Sequence, residues 1–168
     1  SLLSDMNKDV NRLSIIAERF SKIGSKPEME LIYVNEVLEN ATEYMRRRVS
    51  DKVLITTHLP SDAEGAMVCL SLFEWVIENL CKNAVDAMNG EGRIDVYMTS
   101  EKQQIYIDIK DTGKGIARKN FKTVFNPGYT TKKRGWGLGL TLAKRIIEDY
   151  HAGRIYVKDS EVGKGTTF

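Results

Sequence analysis

The sequence has little cysteine, little proline and almost no excess of charge. Its 168 residues include two cysteines and three prolines, and the formal net charge is +2. Cys69 and Cys81 stand among apolar residues, without a Cys-x-x-Cys pair or a Cys/His cluster, which predicts buried reduced thiols and no metal site. So small a net charge gives no reason to expect nucleic acid as a partner. No apolar run approaches the roughly 18 residues of a transmembrane helix, so we expect no membrane contact from this chain.

Strand patterns recur from residue 28 onward. The segments that predict strands are EMELIYV (28–34), KVLITTHL (52–59), RIDVYM (93–98), QIYIDIK (104–110), GRIYVKD (153–159) and GTTF (165–168). The third and fourth alternate between apolar and polar residues, so each is predicted to turn its apolar side chains to one face of a sheet. Those side chains are Ile94, Val96, Met98, Ile105, Ile107 and Ile109. We place the turn between these two strands at Ser100–Lys102 and predict a last hairpin from the final two segments.

Three helical patterns alternate with the strands. Asn35 is predicted to cap a helix that ends near Arg48, and Ser71-x-x-Glu74 has the form of a capping box that opens a second helix. The second helix is expected to end at Asn89-Gly90, and a third follows a long loop. The apolar positions of the third are Leu138, Leu142, Ala143, Ile146 and Ile147. With antiparallel hairpins at the centre, this order predicts an α+β fold, a two-layer sandwich of one mixed sheet with helices on a single face.

An apolar seam precedes the first strand. Its members are separated by three or four residues and are Leu3, Met6, Val10, Leu13, Ile16, Ala17, Phe20 and Ile23. Gly24 and Pro27 end the pattern. Because the seam is narrow and close to a heptad, residues 1–25 are interpreted as a dimerisation or bundle helix, in preference to a helix packed on its own domain. Residues 28–168 then form a second domain.

The second helix carries a polar stripe. Asn79, Asn83 and Asp86 are spaced by four and three residues, so they share one face of an otherwise apolar helix. A helix that packed only against a core would carry leucines at these positions. The two amides are therefore either surface side chains or groups that bind something polar, and the glycine clusters described next favour binding.

Three glycine clusters complete the pattern, DTGKGI (111–116), GWGLGL (135–140) and GKGTTF (163–168). No Walker motif occurs, and no Gly-x-Gly-x-x-Gly follows a strand and opens a helix, so neither a P-loop nor a Rossmann site is supported. Asp111 at a strand end can instead accept a hydrogen bond from an exocyclic amine. The helix that begins after the second cluster predicts an anion site, and Lys132 and Lys133 nearby are either solvated or phosphate-binding.

Together the motifs resemble a known family. The succession ENLCKNAVDAM, DTGKGI, VFNPGYTTKKRGWGLGL and GKGTTF is similar to the four boxes of the ATP-binding catalytic domain of two-component sensor histidine kinases, over about residues 28–168. That domain belongs to a superfamily with DNA gyrase, the large heat-shock chaperone and the mismatch-repair ATPase. The form FNPGYTTKK is most similar to the nitrogen-regulatory branch. The resemblance implies the Bergerat fold, in which ATP is bound between helices under a mobile lid.

The resemblance also implies roles for individual residues and the cofactors ATP and Mg²⁺. Asn83 would ligate Mg²⁺ on the phosphates, and Asn79 and Lys82 would lie near the phosphates and serve catalysis. Asp111 would bind the adenine amine with support from Thr166. The other residues implied in nucleotide binding are Asp86 on the polar stripe, Gly113 and Gly115 beside the base, Phe125 at the lid anchor, Lys132, Lys133 and Leu138, and Gly135, Gly137 and Gly139 around the phosphates.

Position 79 separates two activities of the superfamily. The hydrolysing relatives carry a glutamate four residues before the metal-binding asparagine, where it activates water, whereas this chain has Asn79, a poor base. Glu78 is rotated by about 100° around the helix axis and should not replace it. The resemblance therefore implies a protein-histidine kinase that transfers the γ-phosphate to a histidine for relay to a response-regulator aspartate. The alternative is an ATPase or a nucleotide-gated adaptor of the same superfamily.

The phosphoacceptor histidine of such kinases is followed by an acidic residue on a helix. The two histidines here, His58 in TTHLP and His151 in DYHAGR, lack that acid. His151 is interpreted as a structural residue at a helix end that favours a cation. We expect the acceptor to lie upstream of Ser1, so that this chain binds ATP without phosphorylating itself.

Partners and location follow from the same resemblance. Residues 1–25 would be the second helix of a dimerisation hairpin, so the implied partners are the rest of that phosphoacceptor domain and a second copy in a homodimeric intact protein. The receiver domain of a response regulator is the implied partner in signal transduction. The implied location is the cytoplasm, with the option that the parent protein is a membrane-bound receptor. Trp136 stands where the family has a small residue. Its side chain could either stack on the lid or restrict its movement, and the sequence does not decide between the two.

Overall fold

A two-layer sandwich of helices on a sheet is seen in the computed structural model, which describes residues 2–4, 27–129 and 139–168. Its helices are α1 (Val34–Arg46), α2 (Leu70–Ala87) and α3 (Gly139–Arg145), and a π-helical turn (Ile146–Tyr150) continues α3. Its strands are β1 (Glu30–Tyr33), β2 (Val53–His58), β3 (Gly65–Val68), β4 (Gly92–Glu101), β5 (Gln104–Asp111), β6 (Asp159–Glu161) and β7 (Gly165–Thr167). Two short 3-10 turns, Arg118–Asn120 and Thr123–Phe125, follow β5.

Five strands form one mixed sheet in the order β2-β4-β5-β7-β6. The β2–β4 pair is parallel, because α2 crosses between the two strands, and the other pairs are antiparallel. The predicted mixed sheet is thereby confirmed. The predicted turn at Ser100–Lys102 is wrong by about two residues: Ser100 and Glu101 belong to β4, and the chain turns at Lys102 and Gln103. Both turn residues have positive φ, 49° and 64°, as tight hairpin turns require.

The helices cover one face of the sheet because β4 and β5 alternate as predicted. Ile94 and Val96 are completely buried, whereas Tyr97 on the opposite face is 37% exposed. Leu72 of α2 and Leu38 of α1 fill the space between the layers and are also buried. Burial of a side chain of this size contributes about 1.5–3 kcal/mol, so the alternation decides which face of the sheet the helices cover.

A second, two-stranded antiparallel sheet joins β1 to β3 and was not predicted. The four residues of β3, GAMV, show too short a pattern to be recognised as a strand in the sequence. Ile32 and Ala66 are paired across this sheet and pack against the core, while Leu31 and Met67 remain exposed on its outer side. The pairing places the start of α2 immediately after β3.

The predicted start of the first helix is wrong. α1 begins at Val34 with Tyr33 as the N-cap, and Asn35 lies inside the first turn. The Asn35 side chain donates hydrogen bonds to the carbonyl oxygens of Pro60 (2.9 Å) and Asp62 (3.1 Å) instead of capping the helix. A partner distant in sequence has therefore replaced the local role that the pattern indicated.

The predicted start of the second helix is also wrong, while its predicted end is confirmed. α2 begins at Leu70 with Cys69 as the N-cap and without a side-chain cap hydrogen bond, so the proposed capping box does not open the helix. At the other end, Asn89 and Gly90 both have positive φ, and the Gly90 N–H donates to the carbonyl oxygen of Val85. This is the common way for a helix to end.

Both cysteines are buried and free, as predicted. Burial, together with the charge of Glu78, raises the pKa of Cys81 to about 12. The Cys81 thiol is therefore protonated near neutral pH and unreactive.

The predicted N-terminal helix and the domain boundary near residue 25 fall outside the described residues, except for residues 2–4. Among the helices that the structure describes, none is both long enough and apolar enough to cross a bilayer.

Candidate functional site

The predicted polar stripe lies along α2. Asn79 and Asn83 are half-buried, and Asp86 is exposed. The Nδ2 atom of Asn79 is buried and has no hydrogen-bond partner within the described residues. Because a buried donor without a partner costs about 1–3 kcal/mol, this amide favours a ligand that supplies an acceptor.

Asn79 lies against the first residue of α3. A Cβ atom on Gly139 would lie 2.9 Å from both Oδ1 and Nδ2 of Asn79. Only glycine lets the α3 backbone approach this amide without turning it aside. The fold thus brings together two predicted site residues that are distant in sequence.

Asp111 ends β5 as a buried carboxylate that is 4% exposed. Its Oδ1 atom accepts hydrogen bonds from the backbone N–H groups of Gly113 (2.8 Å) and Thr166 (3.3 Å). Burial raises the pKa of this carboxyl, and the two N–H donors offset part of that effect. No group in the described part of the chain donates to Oδ2, and no cation pairs with the carboxylate. Oδ2 is thus left as an acceptor for a ligand.

Glycines pack the loop after β5 closely against its neighbours. A Cβ on Gly113 would lie 2.8 Å from the backbone of Ala87 at the end of α2. Gly115 has φ +76°, and its Cβ would lie 2.2 Å from the carbonyl oxygen of Glu161. In the described structure these glycines serve backbone packing around Asp111, and their place beside a nucleotide base stays a prediction.

Thr166 meets Asp111 because β7 pairs with β5 at this register. Its buried hydroxyl lies 2.8 Å from the hydroxyl of Ser160 on β6. The Ser160 hydroxyl donates to the carbonyl oxygen of Gly165 and accepts from the N–H of Ile116. Ser160 therefore ties the loop after Asp111 to the last hairpin. Sequence reasoning missed it, because a serine in a surface hairpin carries no signal until the strand pairing is known.

Phe125 belongs to a small apolar cluster with Val124 and Val157. Its ring meets Phe168 edge-on, with centroids 6.1 Å apart and an interplanar angle of 89°. The Thr141 hydroxyl donates to the Phe125 carbonyl oxygen (2.8 Å), which joins this cluster to α3. The ring contacts protein side chains, so these contacts suit an anchor for the neighbouring segment better than direct contact with a nucleotide.

Of the remaining predicted site residues, one is exposed and the others lie outside the part of the chain that the structure describes. Lys82 is exposed on α2. The others, namely Lys132, Lys133, Gly135, Gly137 and Leu138, lie outside the described residues. Within the described ranges, no group of three or more His, Cys, Asp or Glu side chains could hold a metal ion. A divalent cation at this site would therefore depend on an amide oxygen and on oxygens of the ligand itself.

The two histidines both have structural partners. His58 on β2 lies 2.8 Å from Oδ1 of Asp95 through Nε2. His151 accepts a hydrogen bond at Nε2 from the N–H of Cys69 (3.1 Å), and its Nδ1 lies 2.8 Å from the carbonyl oxygen of Ile146. Because one ring nitrogen accepts and the other faces a carbonyl, the network assigns a neutral imidazole with the proton on Nδ1. The expectation of a cation at this helix end is therefore wrong.

The assembled groups fit an adenine nucleotide with a divalent cation. The Oδ2 acceptor of Asp111 suits an exocyclic amine, and the buried Nδ2 donor of Asn79 suits a phosphate oxygen. Asn83 offers an amide oxygen, a ligand that Mg²⁺ accepts. None of these three side chains is a strong base or nucleophile.

Comparisons with known proteins identify the family of this chain. Residues 69–168, more than half of the chain, match the family described as "Histidine kinase-, DNA gyrase B-, and HSP90-like ATPase". Sporulation kinase A of Bacillus subtilis is 42% identical over 93 residues, which are 55% of this chain and 15% of that protein. The matched region spans only 12 to 20% of the length of three such curated relatives.

Solved structures show the same fold. The structure of full-length ShkA in complex with AMPPNP aligns with a TM-score of 0.80 at 22% identity and covers 95% of this chain and 34% of that one. The structure of histidine kinase ThkA in complex with the response regulator protein TrrA aligns with a TM-score of 0.75 at 19% identity, with 99% and 49% coverage. At these identities the two structures establish the fold alone.

The fold, the Asp111 carboxylate and the polar face of α2 agree with an ATP-binding domain. The chain belongs to the histidine kinase-, DNA gyrase B-, and HSP90-like ATPase family. Within that family the chain is similar to sensor histidine kinases, among them ZraS of Escherichia coli, which is 41% identical over 93 residues, 55% of this chain and 20% of that protein.

Proposed function

We propose that this domain binds ATP with Mg²⁺ and offers the γ-phosphate to a histidine outside this chain, for relay to an aspartate of a response regulator. The carboxylate of Asp111 is the observation that carries the proposal. Two backbone N–H groups hold Oδ1, while Oδ2 has no partner among the described residues. The exocyclic amine of adenine is a group of a nucleotide that matches this acceptor.

The polar face of α2 is assigned to the phosphates. Asn83 would supply an amide oxygen to Mg²⁺, which neutralises phosphate charge when bound. The buried Nδ2 of Asn79 would donate to a phosphate oxygen, and the exposed Lys82 would add a positive charge nearby. Phosphoryl transfer depends mainly on positioning and charge stabilisation, and these side chains can supply both.

Transfer to a protein histidine is favoured over hydrolysis by the residue at position 79. An amide cannot take a proton from water as a carboxylate would. An ATPase or a nucleotide-gated adaptor is therefore the weaker alternative.

The partners in this proposal are the phosphoacceptor domain of the same protein, a second copy in a homodimer and a response-regulator receiver domain. The similarity to ThkA, which was solved with a response regulator, supports the last of these. A cytoplasmic location is proposed, because ATP and response regulators are found there, and the parent protein is free to be a membrane receptor.

Nucleotide binding is tested by calorimetry with AMPPNP and Mg²⁺ on the unaltered chain and on Asp111→Asn. With the amide oxygen kept toward the two backbone N–H groups, the new NH₂ would face the adenine amine and replace an acceptor by a donor. Loss of a charged hydrogen bond costs about 1.5–3 kcal/mol, so we expect affinity to fall by about 10- to 150-fold. Asp108→Asn, on the opposite face of β5, is the matched control and should bind normally. Equal affinities for Asp111→Asn and the unaltered chain would refute the assignment.

Transfer is tested with labelled ATP. We expect no acid-labile phosphate on this chain alone. The intact protein should become labelled, and the Asn83→Ala variant of the intact protein should not. Stoichiometric label on His58 or His151 would contradict the prediction that the acceptor lies outside this chain, and rapid hydrolysis without label would favour the ATPase alternative.

A further inference from the structure

α3 lies antiparallel to α2 and contacts it at both ends. At one end, Gly139 is packed on the amide of Asn79. At the other end, beyond the π-helical turn, His151 contacts Cys69 at the start of α2. From Cys69 to Asn79 an α-helix rises by about 15 Å, which is close to the length of α3 with its π-helical turn. The two contacts therefore hold the two ends of α3 against the first half of α2.

His151 forms the contact at the end that is remote from the polar stripe. Its Nε2 accepts the N–H of Cys69, and its Nδ1–H donates to the carbonyl oxygen of Ile146, where the π-helical turn begins. Its ring also leans on Phe73, with centroids 6.2 Å apart. One neutral imidazole thus joins the end of α3 to the start of α2, and both of its nitrogens are used.

The interior of the pair can transmit this restraint. Ala143 and Ile146 on α3 and its continuation are completely buried in the main core. Close-packed interiors of this kind are hardly compressible and transmit strain. A change at His151 would therefore displace Gly139 relative to Asn79, rather than be absorbed between them.

We propose that His151 is a positioning residue of the nucleotide site. By holding α3 along α2, it keeps Gly139 packed on Asn79 and so keeps the buried Asn79 amide turned toward the phosphates. The inference rests on the proposed nucleotide binding. It concerns the phosphate half of the site, because Asp111 is joined to the opposite end of α2, where the N–H of Lys114 donates to the carbonyl oxygen of Ala87.

Two variants separate the hydrogen bonds of His151 from its bulk. His151→Phe keeps an aromatic ring against Phe73 but removes donor and acceptor, whereas His151→Gln keeps one donor and one acceptor on a planar amide. Calorimetry with AMPPNP and with AMP, both with Mg²⁺, compares the phosphate and adenine contributions. For His151→Phe we expect affinity for AMPPNP to fall about tenfold and affinity for AMP to stay unchanged, with AMPPNP binding largely restored in His151→Gln. His58→Phe is the matched control and should change neither affinity.

A double mutant tests the route through Asn79. In an Asn79→Ala background, His151→Phe should have no further effect on AMPPNP affinity, since the group that it positions is absent. Equal and additive losses in both backgrounds would overturn the inference. So would an equal loss for AMP and AMPPNP, because that result indicates general damage to the fold.

A measurement without substitution at His151 is available if His151→Phe fails to fold. The chain has only two histidines, so their imidazole nitrogen resonances are readily distinguished by NMR. Titration with AMPPNP should shift the His151 signals and leave those of His58 in place. No AMPPNP binding by the unaltered chain would overturn the proposed function and this inference with it. Normal binding with unchanged His151 signals would overturn the inference alone.

Discussion

Asp95 and Asp111 are both buried, but their surroundings shift the pKa of each carboxyl in opposite directions. At Asp95, burial favours the neutral form, yet hydrogen bonds from Arg93 and His58 outweigh it, and the pKa lies below its ordinary value. At Asp111, burial dominates over two backbone N–H donors, and the pKa lies above its ordinary value. One carboxylate has its charge compensated within the fold, whereas the other keeps an oxygen for a ligand at some cost in stability.

The raised pKa of Asp111 makes stability without nucleotide depend on pH. Because the folded-state pKa exceeds the ordinary value of 3.8, ionisation destabilises the fold above the folded-state pKa, and the effect vanishes below the unfolded-state pKa. Asp111→Asn should therefore melt at a higher temperature than the unaltered chain at pH 7, with a difference that narrows as the pH falls toward 3.8.

Scanning calorimetry across that pH range measures the difference. Asp108→Asn is the control. It removes a carboxylate that is paired with Lys158 on the uncovered face of the sheet, so it should not raise the melting temperature at any pH in this range. An Asp111→Asn protein that melts below the unaltered chain at pH 7 would contradict the prediction.

At the scale of elements, Asn35 connects α1 to the segment before β3. Besides its two donated bonds, its Oδ1 accepts the N–H of Glu64 (3.0 Å). Asn35→Ala would leave these backbone groups without their partner, at a cost of about 1–3 kcal/mol in the free energy of unfolding. Urea denaturation measures it, with Asn40→Ala as the control, because Asn40 is exposed on the same helix. Equal stabilities of the two variants would show that the Asn35 bonds contribute nothing.

Substituting Gly115 and Gly128 tests whether close packing of the loop after β5 contributes to stability, because only one of the two glycines is packed against a neighbour. Both have positive φ, +76° and +80°, but a Cβ would meet the carbonyl oxygen of Glu161 at Gly115 and no atom within 4 Å at Gly128. Gly128→Ala should cost only the backbone conformation, about 1 kcal/mol. Gly115→Ala should add steric overlap and cost about 2–4 kcal/mol.

The free energy of unfolding in urea distinguishes these two glycines. Amide exchange near Ser160 should also increase in Gly115→Ala, because the hairpin β6–β7 would move away from the loop. Similar losses for Gly115→Ala and Gly128→Ala would mean that the contact with Glu161 relaxes freely.

At the scale of the whole molecule, the nucleotide would contact groups from both layers of the sandwich. Asp111 and Thr166 belong to the sheet, and Asn79 and Asn83 belong to α2. A ligand that binds only the folded chain stabilises it by about 2.7 kcal/mol at 100 times its Kd, or roughly 5–10 °C for a domain of this size. AMPPNP with Mg²⁺ should raise the melting temperature of the unaltered chain by this amount, and that of Asp111→Asn by half of it or less. An unchanged melting temperature in the unaltered chain would count against nucleotide binding.

Much of this architecture could be predicted because it depends on local periodicity. The spacing of Asn79 and Asn83 placed both amides on one face of α2, and the alternation in β4 and β5 indicated which side of the sheet is buried. The role of Asp111 was predicted from the resemblance to a family and from its position at the end of a strand. The helix start was wrong at Asn35, where partners distant in sequence outweigh the local capping preference. It was also wrong at Ser71, because α2 already begins at Leu70 without a side-chain cap.

The sequence by itself determined which face of each element is apolar, where α2 carries its amides and where glycine permits tight turns, because these properties depend on neighbours a few residues away. Only the tertiary structure decided that Asp111 is buried with no cation beside it among the described residues, that Ser160 supports Thr166, and that His151 is a neutral link between α3 and α2. Charge state and hydrogen-bond partners depend on which groups the fold brings within about 3 Å, and sequence spacing does not specify those contacts.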